Sequence, residues 1–312
     1  MNVVIIGLGN QGRKRLAVAG RDVVATVDPA APEAQARAIQ DIPLPRFEAA
    51  LVCTPDDAKV ELLAYLLSHG KHVLVEKPLL IDADQVQRLK RLAQSTGAAC
   101  YTAYNHRFEP QVMALKQLLD ERALGQVYLA RCLYGNGTAR DVRQSPWRDQ
   151  GLGVLSDLGS HLLDLITCWF GEPSGPFALW SGDRFENRAW DHVVFGAAGR
   201  PTLVLEASLV SWQNTFRVDV IGELGSAHVD GLCKWGPSTL TIRTRVLPSG
   251  RPQERIERIE QLDSTWQVEY AHFQQLCRTG VTTLDHDRWI ASTLMEMARM
   301  NESVSTSAAA YR

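Results

Sequence analysis

The sequence predicts an α/β protein in two parts: an N-terminal unit built on a parallel sheet, and a C-terminal α+β unit with a large, mostly antiparallel open sheet. Three observations carry this. An apolar run at Val3–Ile6 breaks into glycines at Gly7, Gly9 and Gly12. Over the first hundred or so residues strand-like and helix-like segments alternate, which implies parallel strands with helices on both faces. Beyond Phe170 long alternating runs dominate, joined by short Gly, Pro and Asn turns, the pattern of antiparallel strands.

Taken in order, the strand-like runs of the first part are Val3–Ile6, Val23–Val27, Ala50–Cys53, His72–Val75 and Ala99–Tyr104. Helical patterns fall at Asp57–Ser68 and Asp82–Gln94, the second opening on an Asp82-Ala-Asp cap and stopping near Ser95-Thr-Gly97. Only about 20 residues, Pro29 to Ala49, separate the second strand from the third, where a full doubly wound half would place a helix, a strand and another helix. Ile42–Phe47, interrupted by Pro43 and Pro45, is at best a poor edge strand, so a trimmed sheet edge is expected. After Asn105 come a helix at Pro110–Leu119, an extended run at Val127–Tyr134, an irregular polar loop to Gly153 and a helix at Ser156–Phe170. Strands follow at Phe177–Ser181, Asp191–Phe195, Thr202–Val210, Phe216–Ile221, Ser226–Val229, Thr239–Val246 and Glu254–Ile259. Two helices, near Gln267–Thr279 and Asp285–Ser303, close the chain before a Ser/Ala-rich end expected to fray. The domains read as 1–105 and 106–312, with the last helix able to pack back on the first.

The chemistry starts at the glycines. The first permits the tight turn after the strand, the second lets a pyrophosphate approach the backbone, and the third lets the next helix pack close, so Gly7–Gly12 reads as a dinucleotide-binding turn. The helix that begins there, with Asn10 and Gln11 in its first turn, points unpaired N–H groups at the phosphates. Asp28, at the end of the second strand, stands where a carboxylate accepts the adenine ribose hydroxyls and repels a 2′-phosphate, so NAD is favoured over NADP. Lys14 and Arg15 are assigned to the helix's solvated face.

Composition excludes other classes. The chain of 312 residues is 45% hydrophobic and 22% charged, with a net charge of −2 and no basic tail, so a nucleic-acid partner has no electrostatic footprint. No apolar stretch approaches the roughly 20 residues that span a bilayer, and the N-terminus enters a strand directly without a leader. The six cysteines are scattered without a C-x-x-C pair, which predicts buried free thiols, no metal cluster and a cytoplasmic setting.

Three clusters carry candidate catalytic groups. Glu76-Lys77-Pro78 follows a buried-looking strand, and in open α/β sheets ligands lie beyond such strand ends; a plain surface Glu–Lys pair is the alternative. In the segment from Gly151 to Asp164, a helix from Ser156 would set Asp157, His161 and Asp164 on one face, where a carboxylate can orient an imidazole for proton transfer to or from an alcohol; a solvated histidine with two acids fits the same spacing. Trp147-Arg148-Asp149 sits in the loop just before.

Together these segments resemble the glucose–fructose oxidoreductase / inositol dehydrogenase / rhizopine-catabolism (Gfo/Idh/MocA) oxidoreductase family. The resemblance runs through GLGNQG at Gly7–Gly12, CTP at Cys53–Pro55, GKHVLVEKP at Gly70–Pro78, YNHRFEP at Tyr104–Pro110, WRD with GLGVLSDLGSHLLD at Trp147–Asp164, and IGELGS at Ile221–Ser226. It implies an N-terminal Rossmann domain and a catalytic set of Lys77, Asp157 and His161, with the lysine often before a cis proline. It also implies that Thr54, Pro55, Glu76, Asn105 and Arg148 join Gly7, Gly9, Asn10, Gln11, Gly12 and Asp28 around the cofactor, with no metal. Arg107, Trp147, Asp164 and Tyr270 are the substrate-binding candidates, each also common on helix surfaces. Two positions depart from the family pattern: Lys59 stands where a histidine is usual, and Leu152 breaks a Gly-Gly-Gly run.

The resulting expectation is an NAD-dependent oxidoreductase moving a hydride between nicotinamide and a hydroxyl-bearing carbon of a sugar, cyclitol or sugar derivative. The alternatives are a catalytically silent cofactor-binding regulator and an imine or biliverdin-type reductase of the same fold. By resemblance the broad second sheet forms a homodimer or homotetramer, burying exposed apolar positions such as those of Thr202–Val210.

Overall fold

The computed structural model describes the backbone of residues 1–309 and the side chains of residues 1–300. Its contacts divide the chain into two compact units, Met1–Asn105 with Ser264–Ser292, and His106–Asp263 with Thr293–Arg312.

In the first unit β1 (Val3–Ile6), α1 (Asn10–Ala19), β2 (Val23–Val27), β3 (Ala49–Val52), α2 (Asp56–Ser68), β4 (His72–Glu76), α3 (Ala83–Thr96) and β5 (Cys100–Ala103) follow in order. The five strands are parallel, in the order β2-β1-β3-β4-β5. Every residue of β1, β3 and β5 is buried, as a parallel sheet covered on both faces requires. The winding reverses beside β1, so the carboxyl ends of β1 and β3 form a switch point where an open α/β sheet takes its ligand. Asp82 caps α3 by accepting the Gln85 N–H at 2.8 Å, while its own N–H donates to the Gln85 side chain.

The short Pro29–Ala49 segment forms no strand of its own. It supplies two 3-10 turns, Ile39–Asp41 and Leu44–Arg46, and a single bridge from Ala36 to Val27, leaving β2 as the sheet edge. The prolines rule out a ladder, and Ile39, Ile42 and Phe47 instead bury themselves in the core beside Val4, Val27 and Val52.

The second unit contains α4 (Pro110–Asp120), β6 (Val127–Gly135), α5 (Ala139–Arg143), a π-helical turn at Leu155–Gly159 and α6 (Ser160–Phe170). Seven strands follow: β7 (Phe177–Asp183), β8 (His192–Ala197), β9 (Thr202–Ser208), β10 (Thr215–Gly222), β11 (Gly225–Asp230), β12 (Ser238–Thr244) and β13 (Gln253–Ile259). They join β6 in one sheet, ordered β13-β12-β11-β10-β6-β9-β8-β7, antiparallel throughout except for β6 with β9. Alternation is plain in β10, where Phe216, Val218 and Val220 are buried and Arg217 between them is exposed.

α7 (Thr265–Cys277) and the start of α8 (Leu284–Ala309) belong with the first unit, so the boundary drawn from sequence at 106–312 needs correction. Phe273 and Tyr270 of α7 pack in one buried cluster with Val3, Ile5, Leu51 and Leu74. The expected fraying of the Ser/Ala-rich end concerns side chains outside the described residues. No helix among the described residues is long and apolar enough to cross a membrane.

Candidate active site

In the first unit the glycine turn is shaped by what it cannot hold. Gly7 has φ +92°, and a Cβ on Gly12 would lie 1.8 Å from the Gly7 carbonyl oxygen, so any side chain there would push α1 off the strand. A Cβ on Gly9 would meet nothing within 4 Å, which leaves open space over the start of α1. That helix has no side chain capping its first turn, where Asn10 and Gln11 are exposed, so its N–H groups remain available to an anion.

Asp28 faces the same turn. Its Oδ2 accepts the Leu8 N–H at 2.7 Å, and its Oδ1 accepts the N–H groups of Ala30 and Ala31 at 2.8 Å. Burial raises its pKa, but those three donors and Arg37 outweigh it and hold the carboxyl below its ordinary value. The neighbouring cations are already engaged: Arg13 pairs with Glu33, and Arg37 donates to the Asp28 and Ala31 carbonyls. Thr54, at the end of β3 beside Pro55, buries an Oγ1 that has no hydrogen-bond partner among the described residues. An open glycine turn, a bare helix N-terminus, a fixed anion and an orphaned hydroxyl together fit a dinucleotide.

The Lys77–Pro78 peptide at the end of β4 is cis. What fixes this turn is a residue the sequence reading had noted only as a departure. Lys59 of α2 is 2% exposed, and its Nζ donates to the carbonyls of Glu76 and Pro78 at 2.7 Å and to Asp56 Oδ1 at 2.6 Å. The ammonium thus staples the backbone on both sides of half-buried Lys77. Burial lowers the Lys59 pKa and Asp56 works against it.

Three expectations are corrected here. Arg15 is not on a solvated face: it is 1% exposed, with Nε 2.6 Å from Glu76 and Nη2 2.7 Å from Glu269 of α7, its guanidinium 4.2 Å from the Trp266 ring. Glu76, expected against the cofactor, therefore turns its carboxylate to Arg15. Burial pulls Arg15 down, but the two carboxylates more than offset it; Glu269 is pushed up to about 7 by burial, against Arg15 and with Glu76. Tyr270, expected at substrate, is buried with its hydroxyl donating to Asp22 at 2.9 Å. Asn105 donates through Nδ2 to Thr265 at 2.9 Å.

In the second unit the π turn alters the predicted helix. Asp157 lies within it and His161 on the first turn of α6. Asp157 pairs with Arg148 at 3.6 Å, bringing together two predicted residues. His161 is 6% exposed, and its Nδ1 lies 2.8 Å from Nδ1 of His106. His106 Nε2 in turn faces the Lys234 ammonium at 3.2 Å and the Tyr134 hydroxyl at 3.4 Å. Asp164 has no exposed surface and grips Arg107 with both oxygens, at 2.6 and 2.7 Å. Trp147 is 66% exposed, and neighbouring Asp149 is buried, accepting the N–H groups of Arg188 and Ala189.

His106, Tyr134 and Lys234 were absent from the sequence-based site. His106 stood inside the quoted YNHRFEP stretch, a signal that could have found it; nothing in the local sequence marks Lys234. All six cysteines are free thiols, and burial pushes those of Cys53, Cys100 and Cys132 far up, so none of these three offers a thiolate.

Comparison with known proteins agrees with this fold. Residues 1–104 match the oxidoreductase family NAD-binding Rossmann fold, and residues 112–228 match the GFO/IDH/MocA C-terminal domain. The chain is 30% identical over 205 residues to trans-1,2-dihydrobenzene-1,2-diol dehydrogenase of Bos taurus, covering 64% of this chain and 59% of that protein. It is 25% identical over 194 residues to inositol 2-dehydrogenase of Rhizobium meliloti, covering 59% and 57%. These matches thus span less than two thirds of the relatives' length. Among solved structures, levoglucosan dehydrogenase in complex with NADH and L-sorbose shares the fold, with a TM-score of 0.80, 19% identity and coverage of 96% of this chain and 97% of that one. The chain belongs to the GFO/IDH/MocA oxidoreductase family and carries its NAD-binding Rossmann domain.

Proposed function

We propose that this protein is an NAD-dependent oxidoreductase acting on a hydroxyl or carbonyl carbon of a sugar, cyclitol or sugar derivative. The observation that carries the reading is the glycine turn closed by Asp28, an anion held beside a helix N-terminus that has room for a pyrophosphate. The relatives' substrates, an inositol and a dihydrodiol, point to vicinal hydroxyls as the chemical class.

The nicotinamide, when bound, supplies or takes the hydride; the chain handles the proton and the charge. In the oxidative direction His161 takes the hydroxyl proton, and Lys77 donates a hydrogen bond to the same oxygen as negative charge develops there. Asp157 offsets the imidazolium charge. Lys59 and Arg107 are positioning residues, the first holding the Lys77 turn and the second presenting a guanidinium oriented by Asp164. Thr54, Pro55, Asn105 and Arg148 complete the proposed cofactor contacts. We assign the protein to the cytoplasm, and propose that the open face of the second sheet, where Trp180 and Ile256 are exposed, pairs copies into a homodimer or homotetramer; a monomer in sedimentation at micromolar concentration would refute this.

The test is oxidation of myo-inositol, levoglucosan and trans-dihydrobenzenediol with NAD, beside NADH titration by fluorescence. Lys77→Ala and His161→Ala should each lower turnover at least about a hundredfold while NADH binding persists, since general acid–base help is worth about 10²–10⁴. Wild-type turnover in both variants removes the assigned roles. Tight NADH binding without turnover on any of the three substrates favours the regulator instead.

A further inference from the structure

His161 does not end the polar cluster of the second unit; it begins a line. Its Nδ1 meets His106 Nδ1 at 2.8 Å, His106 Nε2 meets Lys234 Nζ at 3.2 Å, and Lys234 is exposed. The two imidazoles meet edge on, at 84°. Two ring nitrogens this close share one proton, so one donates and the other accepts. The ammonium settles which. An ammonium can only donate, so His106 Nε2 accepts from it, His106 carries its proton on Nδ1, and His161 Nδ1 accepts that proton's hydrogen bond. The proton of neutral His161 is then on Nε2.

The surroundings fit such a line. Tyr134 donates toward the same Nε2; burial, then Asp157 and Glu109, push its phenol far up, so it stays protonated. Phe216 stacks nearly parallel to the His106 ring on the apolar side. The Lys234 ammonium lies over the rings of Trp235 and Tyr134, 4.7 and 5.6 Å from their centroids. The acids beside it are Glu109, whose Oε2 takes the Cys233 N–H at 3.0 Å, and Asp263 close to Glu109.

We propose that His106 and Lys234 form a proton relay that joins His161 to solvent and rests with the His161 proton on Nε2. The inference rests on the reading of His161 as acid–base group. In reduction of a carbonyl, His161 Nε2 gives its proton to the oxygen, while the hydride and its electron pair come from reduced nicotinamide. His161 Nδ1 takes the proton of His106 Nδ1, His106 Nε2 takes one from Lys234, and water reprotonates the amine. One proton enters from solvent and one lands on the product, and the two rings, left with protons on His161 Nδ1 and His106 Nε2, return to rest by exchanging them with water before the next turnover. Oxidation runs the line backwards and needs the neutral amine first. The resting state is therefore the reductive one, and oxidation gains with rising pH.

The test uses the full chain labelled with ¹⁵N-histidine. Long-range ¹H–¹⁵N spectra should place the proton of His106 on Nδ1 and that of His161 on Nε2. Lys234→Met made together with Tyr134→Phe removes both donors from His106 Nε2 and should shift both, toward Nε2 on His106 and Nδ1 on His161. Lys234→Arg keeps a donor-only cation and should restore both tautomers, yet it cannot release a proton. On the ketone of whichever panel substrate turns over, with NADH, Lys234→Arg should therefore be at least about tenfold slower, with a larger solvent deuterium effect and partial rescue by added imidazole. The relay is overturned if wild-type His161 carries its proton on Nδ1, if Lys234→Met with Tyr134→Phe moves neither tautomer, or if Lys234→Arg runs at the wild-type rate. His161→Asn separates the two readings. Retained turnover removes the acid–base role itself, whereas lost turnover with unmoved tautomers in Lys234→Met with Tyr134→Phe removes only the relay.

Discussion

The buried cations of the first unit and the buried imidazoles of the second are built to opposite plans. Arg15 sits between Glu76 and Glu269 of other elements, and Lys59 among Asp56 of its own helix and the Glu76 and Pro78 carbonyls, so each charge is held by fixed partners. In the second unit His161, His106 and Lys234 are strung in sequence, and the last of them reaches solvent. A closed cluster holds a backbone in place, because moving any member strands a buried charge. An open line can change its protonation without moving atoms. The first unit's charges therefore serve geometry, and the second unit's serve proton traffic.

Breaking the tighter closed cluster gives the largest expected effect on stability. Arg15→Met keeps the volume but leaves Glu76 facing Glu269 without a cation, and should cost about 3–5 kcal/mol in urea unfolding. Adding Glu269→Gln should recover part of that loss. A double-mutant cycle with no coupling would show that the guanidinium acts through packing on Trp266 alone. Lys59→Met comes next, at about 2–4 kcal/mol, because two carbonyls beside Lys77 lose their donor. It should also lower turnover more than NADH affinity, since the nucleotide turn lies on other strands.

The same cluster predicts a pH response of definite sign. Glu269 is pushed up to about 7 from 4.5, so the folded state keeps a proton that the unfolded chain releases earlier. Its contribution is fully present below about pH 4.5 and is lost as pH rises through about 7, to the extent of roughly 2–3 kcal/mol. Wild type minus Glu269→Gln, followed by thermal unfolding from pH 4.5 to 8, should fall with rising pH. A difference that is flat or rising would place the shared proton elsewhere.

These clusters also explain what could be read in advance. The glycine turn, Asp28 and every strand of both sheets were legible because each rests on local pattern: a required φ, an alternation, a charge at a strand end. Ile42–Phe47 forms no strand and leaves the trimmed edge its prolines imply, yet prolines that bar a strand do not bar burial. Arg15 looked solvated because its partners are 61 and 254 residues away, and no helical period announces them. Lys234 was invisible for the same reason, since only the approach of the 3-10 turn at Cys233–Trp235 makes it a neighbour of His106 and Tyr134. Asp157 was placed on a regular helix, and the π turn that re-aims it leaves no mark in composition.

Tyr270 provides the smallest and most discriminating contrast. Sequence suggested substrate, while the structure gives its hydroxyl to Asp22, with Gln274 donating to the same carboxylate oxygen at 3.0 Å. Burial, then Asp22, pushes the phenol far up, so it remains a donor across the working range. Tyr270→Phe keeps the ring in its cluster with Phe273 and removes one hydrogen bond to a charged group, a loss of about 1–2 kcal/mol softened by the Gln274 bond that remains. KM for any substrate of the panel should stay unchanged. A raised KM with unaltered stability would instead return Tyr270 to the substrate and show that α7 belongs to the open plan as well as the closed one.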